Sequence, residues 1–448
     1  METPIADFVR CYGSGSMCRL HMPGHKGKPF LGCEAMDITE ISGADALYEA
    51  EGIIAESEAH ATELFGSGRT LYSTEGSSQC IRAMLYLALT SRPDGTAPVV
   101  VAARNVHKAF VYAAALLDFD IVWLWPEEAG QSLCSCPVSP AALERVLEGL
   151  SSPPAAVYVT SPDYLGGQAD IAGLARVCHR YGTVLAVDNA HGAYLHFLRP
   201  GTHPLDLGAD LCCDSAHKTL PVLTGGAYLH ISSQAPAGFR ENAKAALALF
   251  GSTSPSYLTL ASLDRCNRYL AEDYRSRLAE TVARLDRLKV RLEENGWKIF
   301  HSDPLKLTVD AAASGTSGQS LGARLRQGGV ECEYADPAFL VLMATPENTE
   351  QELARVLTCL GANRNSSAPL PPLPVARGTR AMSVRQALFS PHETIPASRS
   401  LGRICAAPTV SCPPAIPIAV SGERIGPEAL TLFAHYGVPM VDVVKEVS

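Results

Sequence analysis

An α/β fold with a mainly parallel sheet is predicted from three observations. Short apolar runs rich in β-branched and aromatic residues recur along the chain. Helical stretches lie between them, and small or polar residues follow the runs. The runs are PVVVAA (98–103), DIVWLW (120–125), AAVYVT (155–160), TVLAVD (183–188) and GAYLHI (226–231). Among the helical stretches are SSQCIRAMLYLALT and IAGLARVCHRYG. Leu278, Val282, Leu285, Leu288 and Leu292 then recur at helical spacing, and Gly296 is a plausible stop for that long helix.

The rest of the chain divides around this block. Residues 1–45, Gly-rich and irregular, read as an N-terminal arm, and 46–295 as the large domain. KLTVDAA, ECEYADPAFLVLMA and ENTEQELARVLTCLG read as a smaller α/β unit over 296–364. NSSAPLPPLPVARG (365–378) has the composition of a linker, and 379–448 reads as a C-terminal unit.

Composition narrows the function classes. A chain of 448 residues with net charge −9 is not expected to offer a nucleic-acid surface. No apolar run reaches the length of a bilayer span, so no membrane association is expected. The opening METPIADFVRCY lacks the basic and apolar pattern of an export signal, which points to a cytoplasmic location. The 14 cysteines are irregularly spaced without a CxxC pair, so they are expected as reduced core thiols, with no metal site.

Chemistry enters at the ends of the predicted strands, where open α/β sheets bind ligands. Asp188 closes TVLAVD; it suits a cofactor contact or, equally, an ordinary turn or helix cap. Lys218 sits in SAHKTLP, a run poor in charge between strand-like segments; it is a solvated loop lysine or a nucleophile with a lowered pKa. Ser77 and Ser78 open an apolar helix after Gly76, a natural anion site as well as a common cap. His107, just past a strand, could stack on a flat ring or act as an acid, or be a satisfied core histidine; Thr160, Ser161 and Asp163 end another strand. Together these form a helix start for a phosphate, a histidine for a ring, a carboxylate for a pyridine nitrogen and a lysine for an aldehyde. That set suits pyridoxal 5'-phosphate (PLP).

HMPGHKG (21–27), STEGSS (73–78), RNVHK (104–108), TSPDYLGG (160–167), VDNAHGAY (187–194), SAHKTLPVLTGGAYLH (215–230), GSTSPSYLTLASLD (251–264) and PPAIPIAVSGERI (413–425) also stand in the order of a known family. In these motifs the chain resembles the PLP-dependent decarboxylases of ornithine, lysine and arginine. The resemblance implies the fold of type I PLP enzymes, the aspartate aminotransferase class. It implies decarboxylation of a basic amino acid to an amine and carbon dioxide, in support of polyamine or amine synthesis. By resemblance Lys218 carries the cofactor as a Schiff base, Asp188 partners the pyridinium nitrogen and His107 stacks on the ring. Ser77, Ser78, Ser215 and His217 resemble phosphate or cofactor contacts, and His191 the residue of the turn beneath the cofactor. Glu333 and Asp336 resemble the acidic segment that meets the distal cation of the substrate. A homodimer or larger homo-oligomer with shared active sites is implied, with 251–254 reaching the partner's phosphate.

The chain departs from the family pattern at five places. Glu75 and Gln79 stand where Asn and a small hydroxyl residue are usual, Asp163 where Thr is common, Asn189 where Glu is common, and Tyr194 where His is common. These departures bear on the substrate. They leave two other readings open: another fold-type I enzyme, an aminotransferase or a lyase, and a catalytically silent regulatory subunit of the same fold.

Overall fold

The structure is a computed structural model that describes residues 1–92, 95–301, 303–365, 367, 370–410 and 415–446. Pro413 and Pro414 of the PPAIPIAVSGERI motif, and Ser366, Ala368 and Pro369 of the Pro-rich segment, lie outside the described residues. In chain order the principal strands are β1 (Arg69–Ser73), β2 (Val99–Ala103), β3 (Asp120–Leu124), β4 (Ala156–Thr160), β5 (Val184–Asp188), β6 (Leu211–Asp214), β7 (Ala227–Ile231), β8 (Ile299–Phe300), β9 (Lys306–Asp310), β10 (Tyr334–Ala335) and β11 (Phe339–Met343). The five runs expected as strands are β2, β3, β4, β5 and β7. The chain forms two compact units, each assembled from two separate stretches: residues 1–96 with 171–278, and 97–170 with 279–448.

In the first unit the strand order is β1-β7-β6-β5. The β5–β6 pair is parallel, with Asp188 opposite Cys213, whereas β7 runs antiparallel to both β6 and β1. Helices Ser77–Thr90 and Ile171–Arg180 are apolar on the faces they bury. The N-terminal arm differs from its expected irregularity. Pro4–Ser14 is a helix that buries Ile5 and Val9. Proline at its first position costs no hydrogen bond there. Its orphan Ala6 N–H donates to the Asp264 carboxylate at 2.9 Å, on helix Tyr257–Ala271. A distant residue thus caps this helix, which a local reading does not register.

In the second unit β4-β2-β3 are parallel neighbours, and β10-β11-β9-β8 form a separate antiparallel sheet. The long helix spans Tyr274–Glu294 and buries Leu278, Leu285, Leu288 and Leu292. Gly296 follows at φ +91°, where a Cβ would meet the Asn363 carbonyl oxygen at 2.3 Å, so glycine is required at that stop.

Arg104 ties two of the sequence motifs to each other. Its guanidinium donates to the carbonyls of Pro417 and Ile418 at 3.0 and 3.1 Å and to the Glu423 carboxylate at 3.2 Å. It also lies over the rings of Trp123 and Trp125. Burial pushes the Glu423 carboxyl up, and the charge of Arg104 opposes that shift. The RNVHK and PIAVSGERI segments are therefore joined by a buried ion pair. Arg104→Ala is expected to cost about 3–5 kcal/mol in urea denaturation, because it strands the buried carboxylate. A loss of less than ~1 kcal/mol would show that the pair is not held as described.

Candidate active site

Three segments of the first unit supply most of the predicted site residues. The helix Ser77–Thr90 starts after Gly76, whose φ of +70° admits glycine with little strain. The first N–H groups of a helix have no partner within it. Ser77 and Ser78 sit there half-buried. Ser215 Oγ donates to Ser77 Oγ at 2.8 Å, so the segment that carries Lys218 is tied to the start of this helix.

Asp188 ends β5 and is 2% exposed. Its Oδ1 accepts from the Ala190 N–H at 3.2 Å and faces the Cys213 thiol at 3.7 Å. Three residues on, the buried His191 accepts at Nε2 from Lys218 Nζ, 3.0 Å away. Lys218 lies in the single helical turn Ala216–Thr219, between β6 and β7, and is half-buried. His217 donates from Nδ1 to the Gly226 carbonyl at 3.0 Å. Burial lowers its pKa, and the neighbouring Lys218 charge adds to that against the Gly226 bond, so the ring is neutral at pH 7 with its Nε2 lone pair available.

The other predicted residues belong to the second unit. His107 caps helix Lys108–Leu117, its Nδ1 accepting from the Ala109 N–H at 3.1 Å. Ser161 Oγ accepts from the Ala169 N–H at 3.1 Å. Asp163 is buried and accepts from the Gly167 N–H at 2.8 Å, with burial pushing its carboxyl up. Lys306 Nζ donates to the Asp163 carbonyl at 2.8 Å. The two acidic candidates differ. Asp336 is 3% exposed and takes Tyr334 Oη and the N–H groups of Ala338 and Phe339, so its carboxylate is occupied by its own turn. Glu333 is exposed and accepts from Tyr164 Oη at 2.5 Å.

The departures from the family pattern acquire structural partners. Gln79 is buried, accepting from Ser73 Oγ at 2.6 Å and donating to Tyr48 Oη and the Leu247 carbonyl at 2.9 and 2.8 Å. Its amide and Tyr48 Oη fill the space where a Cβ at Gly251 would stand. Asn189 Nδ2 donates to the Asp214 carboxylate at 2.7 Å. A glutamate at 189 would bring a second buried carboxylate against Asp214, so the amide suits this neighbour. Glu75 is exposed, and Tyr194 is buried in the turn Ala193–Phe197. Asp214 itself, with His203 and His230, is absent from the sequence reading. The three are 11 and 16 residues apart along the chain and share no local motif.

The comparisons with known proteins agree with one another. The family described as "Orn/Lys/Arg decarboxylase, major domain" matches residues 12–313. An arginine decarboxylase of Bacillus subtilis (strain 168) is 27% identical over 467 residues, covering 96% of this chain and 92% of that protein. Among solved structures, the lysine decarboxylase of Francisella novicida superposes with a TM-score of 0.80 at 16% identity, covering 99% of this chain and 81% of its own. Serine palmitoyltransferase of Sphingomonas wittichii superposes with a TM-score of 0.53 at 17% identity over 68% of this chain and 74% of that one. At these identities the two structural likenesses speak for the fold, that of the type I PLP enzymes.

Proposed function

This chain belongs to the Orn/Lys/Arg decarboxylase family, and from that premise we propose that it removes the α-carboxylate of a basic amino acid as carbon dioxide, using PLP held on Lys218. The observation that carries the proposal is the placement of Lys218 Nζ on His191, at the end of the turn that begins with the buried Asp188.

The residues present fit the cofactor. The helix start at Ser77 and Ser78 offers N–H and hydroxyl donors for a phosphate, and Ser215 steadies it through Ser77. A buried, oriented carboxylate at Asp188 suits a protonated ring nitrogen, and a half-buried amine at Lys218 suits an aldehyde. When bound, PLP supplies an electron sink for the bond that breaks. The chain's residues do the rest. Asp188 keeps a proton on the ring nitrogen. Neutral His217 leaves Lys218 without a second positive charge beside it. His191 accepts from Lys218 Nζ, and this pair can hold and return the proton that the α-carbon needs. His107 is proposed to stack on the ring, as the resemblance implies.

Glu333 is the better candidate for the substrate's distal cation, because it is exposed whereas the Asp336 carboxylate is occupied. Glu333→Gln is expected to raise KM roughly tenfold and to change kcat less. Equal KM values would remove Glu333 from this role. Arginine is the first substrate to offer, given the name of the B. subtilis relative, with lysine and ornithine beside it. Carbon dioxide release from one of them is expected. Release from none, by protein coloured with bound PLP, would favour a transaminase, a lyase or a silent subunit. A homodimer is also proposed, because Met17, Leu20, Met22, Phe30 and Leu31 are all more than half exposed and Ser252–Ser254 are exposed as well. A monomeric mass by light scattering at micromolar concentration would exclude it.

A further inference from the structure

We propose that Asp214 is a positioning residue for the site: it pins the Asn189 side chain and thereby fixes the 188–192 turn that carries Asp188 and His191. The inference rests on the proposed function for what the turn is used for, though not for how the turn is held.

Asp214 ends β6 with no exposure, one strand away from Asp188. Three N–H donors converge on its carboxylate. Asn189 Nδ2 donates to Oδ1 at 2.7 Å, and His203 Nε2 and His230 Nε2 donate to Oδ2 at 3.1 Å each. The tautomers follow from the far side of each ring. The Leu205 N–H donates to His203 Nδ1 at 3.3 Å, so Nδ1 carries the lone pair and Nε2 the proton. His230 Nδ1 lies 2.8 Å from Thr70 Oγ1, and burial lowers this ring's pKa, which keeps it neutral. His203, Asp214 and His230 stand close enough together to hold a metal ion. A metal-bound histidine, however, normally donates its other ring N–H to an acceptor. His203 Nδ1 faces a donor instead. The cluster is therefore a buried carboxylate solvated by three N–H groups. Burial alone would push its carboxyl up; the two histidines overcome this and hold it below the usual range.

The far end of that arrangement is the turn. Besides its bond to Asp214, Asn189 donates its backbone N–H to the Cys213 carbonyl at 3.0 Å and accepts the Gly192 N–H at 2.8 Å. A Cβ at Gly192 would stand 2.0 Å from Asn189 Oδ1, so the amide fills the inside of the turn. Three anchors on one residue fix the path from Asp188 to His191, and only the Asp214 bond is made by a side chain that a substitution can remove without touching the turn.

The test uses the full chain with Asp214→Ala, Asn189→Ala and the exchange N189D/D214N. In the exchange, the amide at 214 offers its oxygen to the histidines and its N–H to the carboxylate at 189. Amide hydrogen exchange of the cofactor-free protein reads the turn, and kcat and KM of the holoenzyme read the site. Both alanine variants are expected to speed exchange at Asn189 and Gly192 by about tenfold or more. They are expected to lower kcat about tenfold with KM within about twofold, and the exchange variant to recover most of both effects. Unchanged protection of the turn in the alanine variants overturns the proposal, as does a loss that the exchange variant fails to recover. Should Asp214→Ala not fold, Asn189→Ala decides, since it leaves Asp214 with both histidines. A wild-type protein that binds no PLP and releases no carbon dioxide ends the decarboxylase reading, and hydrogen exchange then decides this one alone.

Discussion

Lys218→Ala is expected to abolish carbon dioxide release, by roughly 10⁴-fold or more, and to remove the visible absorption of bound PLP. The lysine lies in a single helical turn and is half-buried. Its loss removes one donor from His191 Nε2 and little packing, so the melting temperature is expected to stay close to that of the wild type. The combination of an intact fold, no colour and no turnover separates loss of the attachment amine from general damage. Turnover and colour both retained would sink the assignment of Lys218.

The second large effect is expected at Asp188. Alanine there removes a carboxylate that is 2% exposed and oriented by the Ala190 N–H. A preorganised buried charge of this kind is worth about 10²–10³ in rate when it acts on the reacting system. Asp188→Ala is therefore expected to bind PLP weakly and to lose about that factor in kcat. Asp188→Asn preserves the shape and removes the charge, and it should fall nearly as far if the charge is what matters. Near-normal turnover in both variants would contradict the role.

Much of the framework is legible because its signals are local. VVVAA and VLAVD are buried on both faces in a parallel sheet, so they read as unbroken apolar runs. Asp188 closes such a run, and Lys218 follows the buried β6, at strand ends to which the fold class itself directs attention. The edge strand Arg69–Ser73 has no comparable signature, since RTLYS mixes polar and apolar residues and acquires its pairing from β7. The same limit hides His203, Asp214 and His230. Asp214 ends β6, His230 lies on the neighbouring β7 and His203 comes from the segment before β6, so the folded chain alone brings them together. Gln79 and Asn189 look like defects against a family pattern, yet their partners Tyr48, Leu247 and Asp214 come from elsewhere in the chain. What a substitution means is decided by neighbours that a sequence pattern does not display.

The division of the chain also bears on how the protein is made. Neither compact unit is a continuous stretch, since residues 97–170 interrupt the first and 171–278 separate the two parts of the second. During synthesis the first unit cannot close until Leu278 has left the ribosome, and the second must wait for the final strands. Its early segment therefore spends most of translation without its partners, with apolar β2, β3 and β4 already formed as sequence but not yet covered by residues 279–448. Such non-local closure favours slow folding and reliance on chaperones. No single truncation of the gene separates one unit from the other.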